Sequence, residues 1–156
     1  MQPIKANGEY LVSVGQPLER YEFTIDSVGD DFAVVQVAGC GLCHTDLGFI
    51  SGTVKTKHDL PLILGHEISG TVVAAGDLYT SLIGKNVVVP AVLPCGECEL
   101  CIAGRDNICQ RQLMPGNDFD GGFASHITVP AKFLCQLPDD LGEFELAQLS
   151  VVADAI

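Results

Sequence analysis

The chain has 156 residues, 47% of them apolar, enough for one hydrophobic core, so a single domain spanning residues 1–156 is expected. With 20 acidic residues against 8 basic ones and a net charge of −12, and with no basic cluster, it repels a phosphate backbone, which excludes nucleic acid as a partner. No apolar run approaches the ~20 residues of a membrane helix and no signal peptide opens the chain, so a cytoplasmic protein without a membrane partner is expected.

The first half reads as extended segments broken by turn residues. Strands are expected at 10–14, 20–25 and 32–37, the last two separated by the turn composition Asp26-Ser27-Val28-Gly29-Asp30-Asp31. A short helix follows at 45–50. Further strands are expected at 68–75, 86–92, 123–129 and 133–137, where apolar and β-branched residues recur. A helix is expected from residue 144 onward, with Phe144, Leu146, Leu149, Val152 and Ile156 on one face. The pattern predicts a mainly β, barrel-like domain with few helices. Residues 94–116, rich in Cys, Gly and charge, interrupt it as an inserted lobe.

Seven cysteines, an odd number in a chain without an export signal, read as reduced thiols and metal ligands rather than a disulfide scaffold. Four of them, Cys95, Cys98, Cys101 and Cys109, form C-x2-C-x2-C-x7-C within the lobe. Four thiolates in one loop close a tetrahedron around Zn²⁺ and leave no open position, which marks a structural site. Iron–sulfur ligation is the nearest alternative, but ferredoxin runs are spaced differently and place Pro after the last ligand, where this chain has Gln110.

Two further motifs, Gly41-Leu42-Cys43-His44-Thr45-Asp46 and Gly65-His66-Glu67, offer a thiolate and an imidazole that can meet at one rim of the barrel. Together they can hold a second metal with an open position. On spacing alone, packed or solvated side chains are the more frequent reading. Cys40 and Cys43 also spell C-x-x-C, but the redox motif needs an α/β setting that this chain lacks, and Cys40 is read as a spectator. Cys135 is expected in the core, and His58 and His126 on the surface.

In order along the chain, Gly-x-Cys-His-Thr-Asp, Gly-His-Glu, the four cysteines and Gly121-Gly122-Phe123-Ala124 resemble the N-terminal domain of zinc-dependent medium-chain alcohol dehydrogenases. The resemblance runs from about Tyr10 to the last residue. It implies a GroES-like, partly open β-barrel and two zinc ions per chain. Cys43 and His66 would ligate a catalytic zinc, with Glu67 as a carboxylate that tunes it. Thr45 would take the alcohol proton, Asp46 would orient His66, and His44 would contact cofactor phosphate. The family's third ligand is commonly a cysteine where this chain has Asp154, whose oxygen is an acceptable zinc ligand; the alternative is a solvated Asp154 with Glu67 as the third ligand. Gly48 stands where many members carry a histidine that passes the proton to solvent.

The resemblance further implies an NAD-linked oxidation of a secondary alcohol to a ketone, with a small-molecule alcohol or ketone as partner and a homo-oligomer at full length. Residues 37–54 with Asp154 most resemble the dehydrogenases of anaerobic benzoyl-CoA breakdown, which oxidise an alicyclic hydroxy-acyl-CoA. A simple alcohol or polyol is the alternative substrate, and a non-catalytic GroES-like zinc module the alternative function. No Gly-x-Gly-x-x-Gly phosphate turn occurs. A dinucleotide-binding domain absent from this chain, in a longer polypeptide, is therefore expected, and the chain by itself is expected to be inactive.

Overall fold

The structure, a computed structural model, describes residues 1–154. Strands β1 (Ile4–Leu11), β2 (Glu19–Ile25) and β4 (Leu62–Ile63) form one sheet in the order β2-β1-β4. Strands β3 (Phe32–Gly41), β5 (Glu67–Ala75), β6 (Asn86–Val89), β7 (His126–Pro130) and β8 (Cys135–Gln136) form a second in the order β7-β3-β5-β6-β8. Every pairing is antiparallel. Residues 121–125 tie the sheets together: Glu9 donates its N–H to Phe123 O and Ser125 donates to Asn7 O, both at 2.8 Å. The strands β2 and β8 remain edges, so the barrel is partly open, as expected.

The core lies inside this barrel. Val35, Ile68, Val72, Val87, Val89, Ile127 and Val129 pack together; fully burying such a side chain contributes ~1.5–3 kcal/mol. A second cluster of Leu11, Leu62 and Leu64 receives Phe49, which anchors helix α1 (His44–Ser51). Strand β3 is the hub, pairing with β5 from Ala33–Ala75 to Gly41–Glu67 and with β7 on its other side. Its register against β5 shifts between Val34 and Val35 and between Val37 and Gly39. Such irregularities bend a strand, here just before it delivers Cys43. The other helices are α2 (Glu99–Ile102) in the lobe and α3 (Glu143–Gln148), which runs into a 3-10 turn, Leu149–Ala153. None of the described helices is long and apolar enough to cross a membrane.

Several expectations are corrected. The first strand ends rather than begins near Tyr10, because residue-by-residue pairing with β2, from Ile4–Ile25 to Tyr10–Glu19, outweighs the weak propensity of Asn7 and Gly8. The two-residue β4 is too short to give a periodic signal and exists through its pairing with β1. Residues 123–125 cross to β1 before β7 begins, and a 3-10 turn at Ala131–Phe133 shortens β8. Cys135 is exposed. His126 is half-buried, with Nδ1 3.1 Å from Ser125 Oγ, and burial lowers its pKa; His58 is exposed, as expected. At the C-terminal end Leu146 and Ser150 are buried, whereas Phe144 is 74% exposed and Val152 is exposed. The change from α to 3-10 winding after Gln148 breaks the expected face; Ile156 lies outside the described residues.

Candidate metal centres

The lobe leaves the barrel at a pinch where Leu93 and Leu113 exchange backbone hydrogen bonds of 2.8 and 2.9 Å. Cys98 is the N-cap of α2 and Cys101 lies three positions on, a spacing that brings the two onto one side of a helix. The Sγ–Sγ separations are 3.5 Å for Cys98–Cys101, 3.8 Å for Cys98–Cys109 and 3.9 Å for Cys95–Cys101. All four sulfurs lie within 4.8 Å of one another. A tetrahedron built on zinc's ~2.3 Å bonds to sulfur has edges of about 3.8 Å, so the four thiols fit the ion.

Backbone amides reinforce the lobe site. Cys98 N–H donates to Cys95 Sγ at 3.4 Å, and Cys95 and Arg111 donate to Cys109 Sγ at 3.3 and 3.4 Å. Backbone donation, chiefly from Glu97, brings the Cys95 thiol down to about 6. Desolvation and the neighbouring thiols push Cys101 up to about 12. Each thiolate formed makes the next harder to form, and a cation at the centre removes that conflict. Nothing apolar replaces it: within residues 94–112 Cys109 is the one buried side chain, and Ile102 is 77% exposed.

At the second cluster, ligand atoms of Cys43, His66, Glu67 and Asp154 likewise fall within 4.8 Å of one another. Cys43 is the N-cap of α1, and His66 and Glu67 stand where β5 begins. Asp154, exposed at the end of the C-terminal turn, places Oδ2 3.6 Å from Cys43 Sγ. Bonds of ~2.3 Å to sulfur and ~2.0–2.2 Å to oxygen at a tetrahedral angle separate the two atoms by about 3.5–3.7 Å, so an aspartate fits at this position. Thr45 Oγ1 also lies 3.6 Å from Cys43 Sγ, beside the cluster. His44 opens α1 and is exposed.

Asp46 binds the cluster together from behind. Fully buried, it accepts the Cys43 N–H at Oδ2 (3.0 Å), half of a capping box, and the Gly65 N–H at Oδ1 (3.1 Å). One carboxylate thereby fixes the backbone beside both ligands. Burial pushes its pKa up, against the pull of the Cys43 amide, His66 and the Gly65 amide. His66 is 1% exposed, and its Nδ1 lies 3.6 Å from Asp46 Oδ1 without a hydrogen-bond partner. A small tightening gives it that carboxylate and leaves Nε2 for a metal, the arrangement in which a carboxylate sets the tautomer of a ligating histidine.

Sequence reasoning missed Gly41 as part of this site. A Cβ there would overlap Glu67 Oε2, so the glycine is what lets the carboxylate lie against the cluster; its place beside Cys43 was the available signal. At Gly48 a Cβ would sit 3.2 Å from Val54 Cγ2. Val54 thus crowds the position, and a side chain there would need Val54 to give way. Cys40 is half-buried and its thiol is pushed up to about 12, chiefly by burial, in keeping with a spectator.

The chain is similar to known proteins over most of its length. Residues 29–139 match the alcohol dehydrogenase GroES-like domain. An alcohol dehydrogenase of Geobacillus stearothermophilus is 39% identical over 118 residues, 74% of this chain and 35% of its own length. The D-arabinose 1-dehydrogenase (NADP(+)) of Saccharolobus solfataricus is 34% identical over 149 residues, 94% of this chain and 42% of its own. The cobalt- and zinc-bound thermostable alcohol dehydrogenase of Pyrobaculum aerophilum superposes with a TM-score of 0.83 at 26% identity, covering 96% of this chain and 45% of that one. The chain therefore spans well under half the length of these relatives. On its motifs, its fold and these matches, it belongs to the zinc-type medium-chain alcohol dehydrogenases, of which it carries the GroES-like domain.

Proposed function

We propose that residues 1–156 are the catalytic domain of a zinc-dependent, NAD(P)-linked dehydrogenase that oxidises a secondary alcohol to a ketone. The convergence of Cys43, His66, Glu67 and Asp154 beside the Thr45 hydroxyl carries this reading. A binding module needs only the closed four-cysteine site, whereas chemistry requires a second, mixed S/N/O cluster beside a hydroxyl that can take a proton. A zinc ion there supplies Lewis acidity to the alcohol oxygen, and a nicotinamide supplies the hydride acceptor.

The chain's own residues do the rest. Cys43, His66 and Asp154 hold the ion, and Asp46 keeps the His66 ring in the ligating tautomer. Glu67, admitted by Gly41, adjusts the charge around it. Thr45 Oγ1 accepts the hydroxyl proton, and Gly48, in place of a histidine, supplies no onward acceptor along α1. His44, exposed at the start of α1, contacts cofactor phosphate. The four-cysteine site holds a second, structural zinc. The dinucleotide-binding domain belongs to the longer polypeptide, which works as a cytoplasmic homo-oligomer.

For the substrate, the resemblance of residues 37–54 and Asp154 supports the alicyclic thioester 6-hydroxycyclohex-1-ene-1-carbonyl-CoA; the relatives' names support simple alcohols and sugars. The test is the complete polypeptide, zinc-loaded, assayed with NAD⁺ and NADP⁺ against this thioester, linear and cyclic secondary alcohols and aldoses. Thr45→Val should lower kcat by the ~10²–10⁴-fold of a lost proton acceptor at unchanged zinc content. Full activity in that variant, or no oxidation of any substrate class, overturns the proposal.

A further inference from the structure

We propose that Ser69 is a positioning residue for Asp154, acting through the backbone of the segment that carries it; this rests on the reading of Asp154 as a metal ligand. Asp154 is 111 positions from Cys43 in sequence and sits exposed at the end of a short turn. Where its carboxylate falls depends on where residues 143–153 are held.

Three contacts hold them, each from a strand of the barrel or the residues just after it. Ser69 in β5, fully buried, donates its hydroxyl to Leu146 O at 2.5 Å. Gly39 in β3 lies against Ala147, where a Cβ would come within 2.9 Å of Ala147 Cα and closer still to its carbonyl oxygen. Ala91, beyond β6, donates its N–H to Ala153 O at 3.2 Å, one residue before Asp154. The strands that present Cys43, His66 and Glu67 to the cluster are thus the ones on which the Asp154 segment is docked.

Ser69 stands out chemically in this set. It is a fully buried polar side chain in β5, between Ile68 and Gly70, and a hydroxyl buried without a partner is costly. Its partner is a carbonyl of the docked segment, so the burial is offset only while the segment lies in place. An alanine would pack equally well in the strand and would leave the segment with one fewer anchor. Tied at Leu146 and at Ala153, the turn between them has little freedom, and the Asp154 oxygen is pre-set near Cys43 before any metal arrives.

The experiment measures zinc affinity at the two sites of the chain separately, by chelator competition and by the cobalt(II) absorption spectrum, in which a four-thiolate site and a mixed S/N/O site differ. Asp154→Ala must weaken the mixed site; if it does not, the ligand reading falls, and this proposal with it. Given that loss, Ser69→Ala should weaken the mixed site ~10-fold, the lower bound for residues that orient a ligand, and leave the lobe site unchanged. Wild-type affinity in Ser69→Ala overturns the proposal while the ligand reading stands.

In the Asp154→Ala background Ser69→Ala should cost the mixed site nothing more. An additive loss would mean that Ser69 supports the fold at large, which also overturns the proposal. Should Ser69→Ala fail to retain lobe zinc, Gly39→Ala, which lifts Ala147 while keeping the Ser69 hydroxyl, decides: a selective loss at the mixed site upholds the docking argument, and wild-type affinity refutes it.

Discussion

Asp46→Asn is nearly isosteric, yet the structure predicts that it weakens both the fold and the metal site. In the native chain Oδ2 accepts from Cys43 N–H at 3.0 Å and Oδ1 from Gly65 N–H at 3.1 Å, with the carboxylate sealed from water. An asparagine has one acceptor oxygen, so one of these buried amides must face an NH₂ group. An unsatisfied buried donor costs ~1–3 kcal/mol, and the charge assistance lost from the surviving bond is offset by the desolvation that a neutral amide escapes. The metal-free chain should therefore lose about 1–3 kcal/mol of stability, read by urea denaturation followed by circular dichroism in excess chelator. Zinc affinity should fall a further ~10–100-fold, because His66 loses the carboxylate that orients it.

The pH dependence has a definite sign. Burial raises the Asp46 pKa in the metal-free fold, so its protonated form contributes stability fully below the ordinary carboxylate value of ~3.9 and loses it as pH rises through the folded value. Asparagine removes that slope. A metal-free stability within ~0.5 kcal/mol of wild type would refute the two-amide clamp.

The closed lobe site predicts that Cys98→Ser releases one zinc per chain and raises proteolysis within residues 94–116 while leaving the barrel folded; unchanged metal content would exclude the four-sulfur site. In the zinc-loaded chain iodoacetamide should modify Cys135, which is exposed, and spare Cys40, whose buried thiol is pushed up to about 12. Chelation should then expose five more thiols to mass-spectrometric counting, and fast labelling of Cys40 would contradict its burial. The chain alone should show no calorimetric signal with NAD⁺ at micromolar concentrations. One charge-assisted contact from His44 supplies ~1.5–3 kcal/mol, whereas micromolar affinity requires ~8 kcal/mol. Micromolar binding would place the cofactor site within these residues.

What the sequence could reveal follows from how local each feature is. The lobe ligands lie within 15 consecutive positions of the sequence, so their spacing alone predicts the four-sulfur cluster that the structure gathers within 4.8 Å. The strands β2, β5 and β6 carry their own apolar periodicity and begin within a residue of where they are expected. By contrast β1 and β4 exist through their partners, and pairing between distant segments leaves no periodic trace. Within the second cluster, Cys43 and His66 stand in recognisable motifs. The nearness of Asp154 to Cys43 depends on a segment more than a hundred positions away, and on Ser69 and Gly39, which look like a stray polar residue and a stray glycine in their strands. Cys135 misled for the same reason: its apolar neighbours suggested burial, but β8 is a two-residue edge strand with no layer over it.

The two candidate metal centres consequently answer to different parts of the chain. Zinc in the lobe would stabilise residues that have almost no core of their own, and its loss would be felt there, because Leu93 and Leu113 close the lobe off from the barrel. Zinc at the second cluster would draw its ligands from the cap of α1, the start of β5 and the C-terminal turn, and so would bind tightly only to conformations in which all three are assembled. By linkage, an ion that binds the docked state alone stabilises docking by the same free energy. The segment 143–153 is the part most exposed to this coupling, since it adds one side chain, Leu146, to the apolar core. Its order should therefore rise with zinc occupancy at Cys43, His66 and Asp154, whereas occupancy of the four-cysteine site should leave it unchanged.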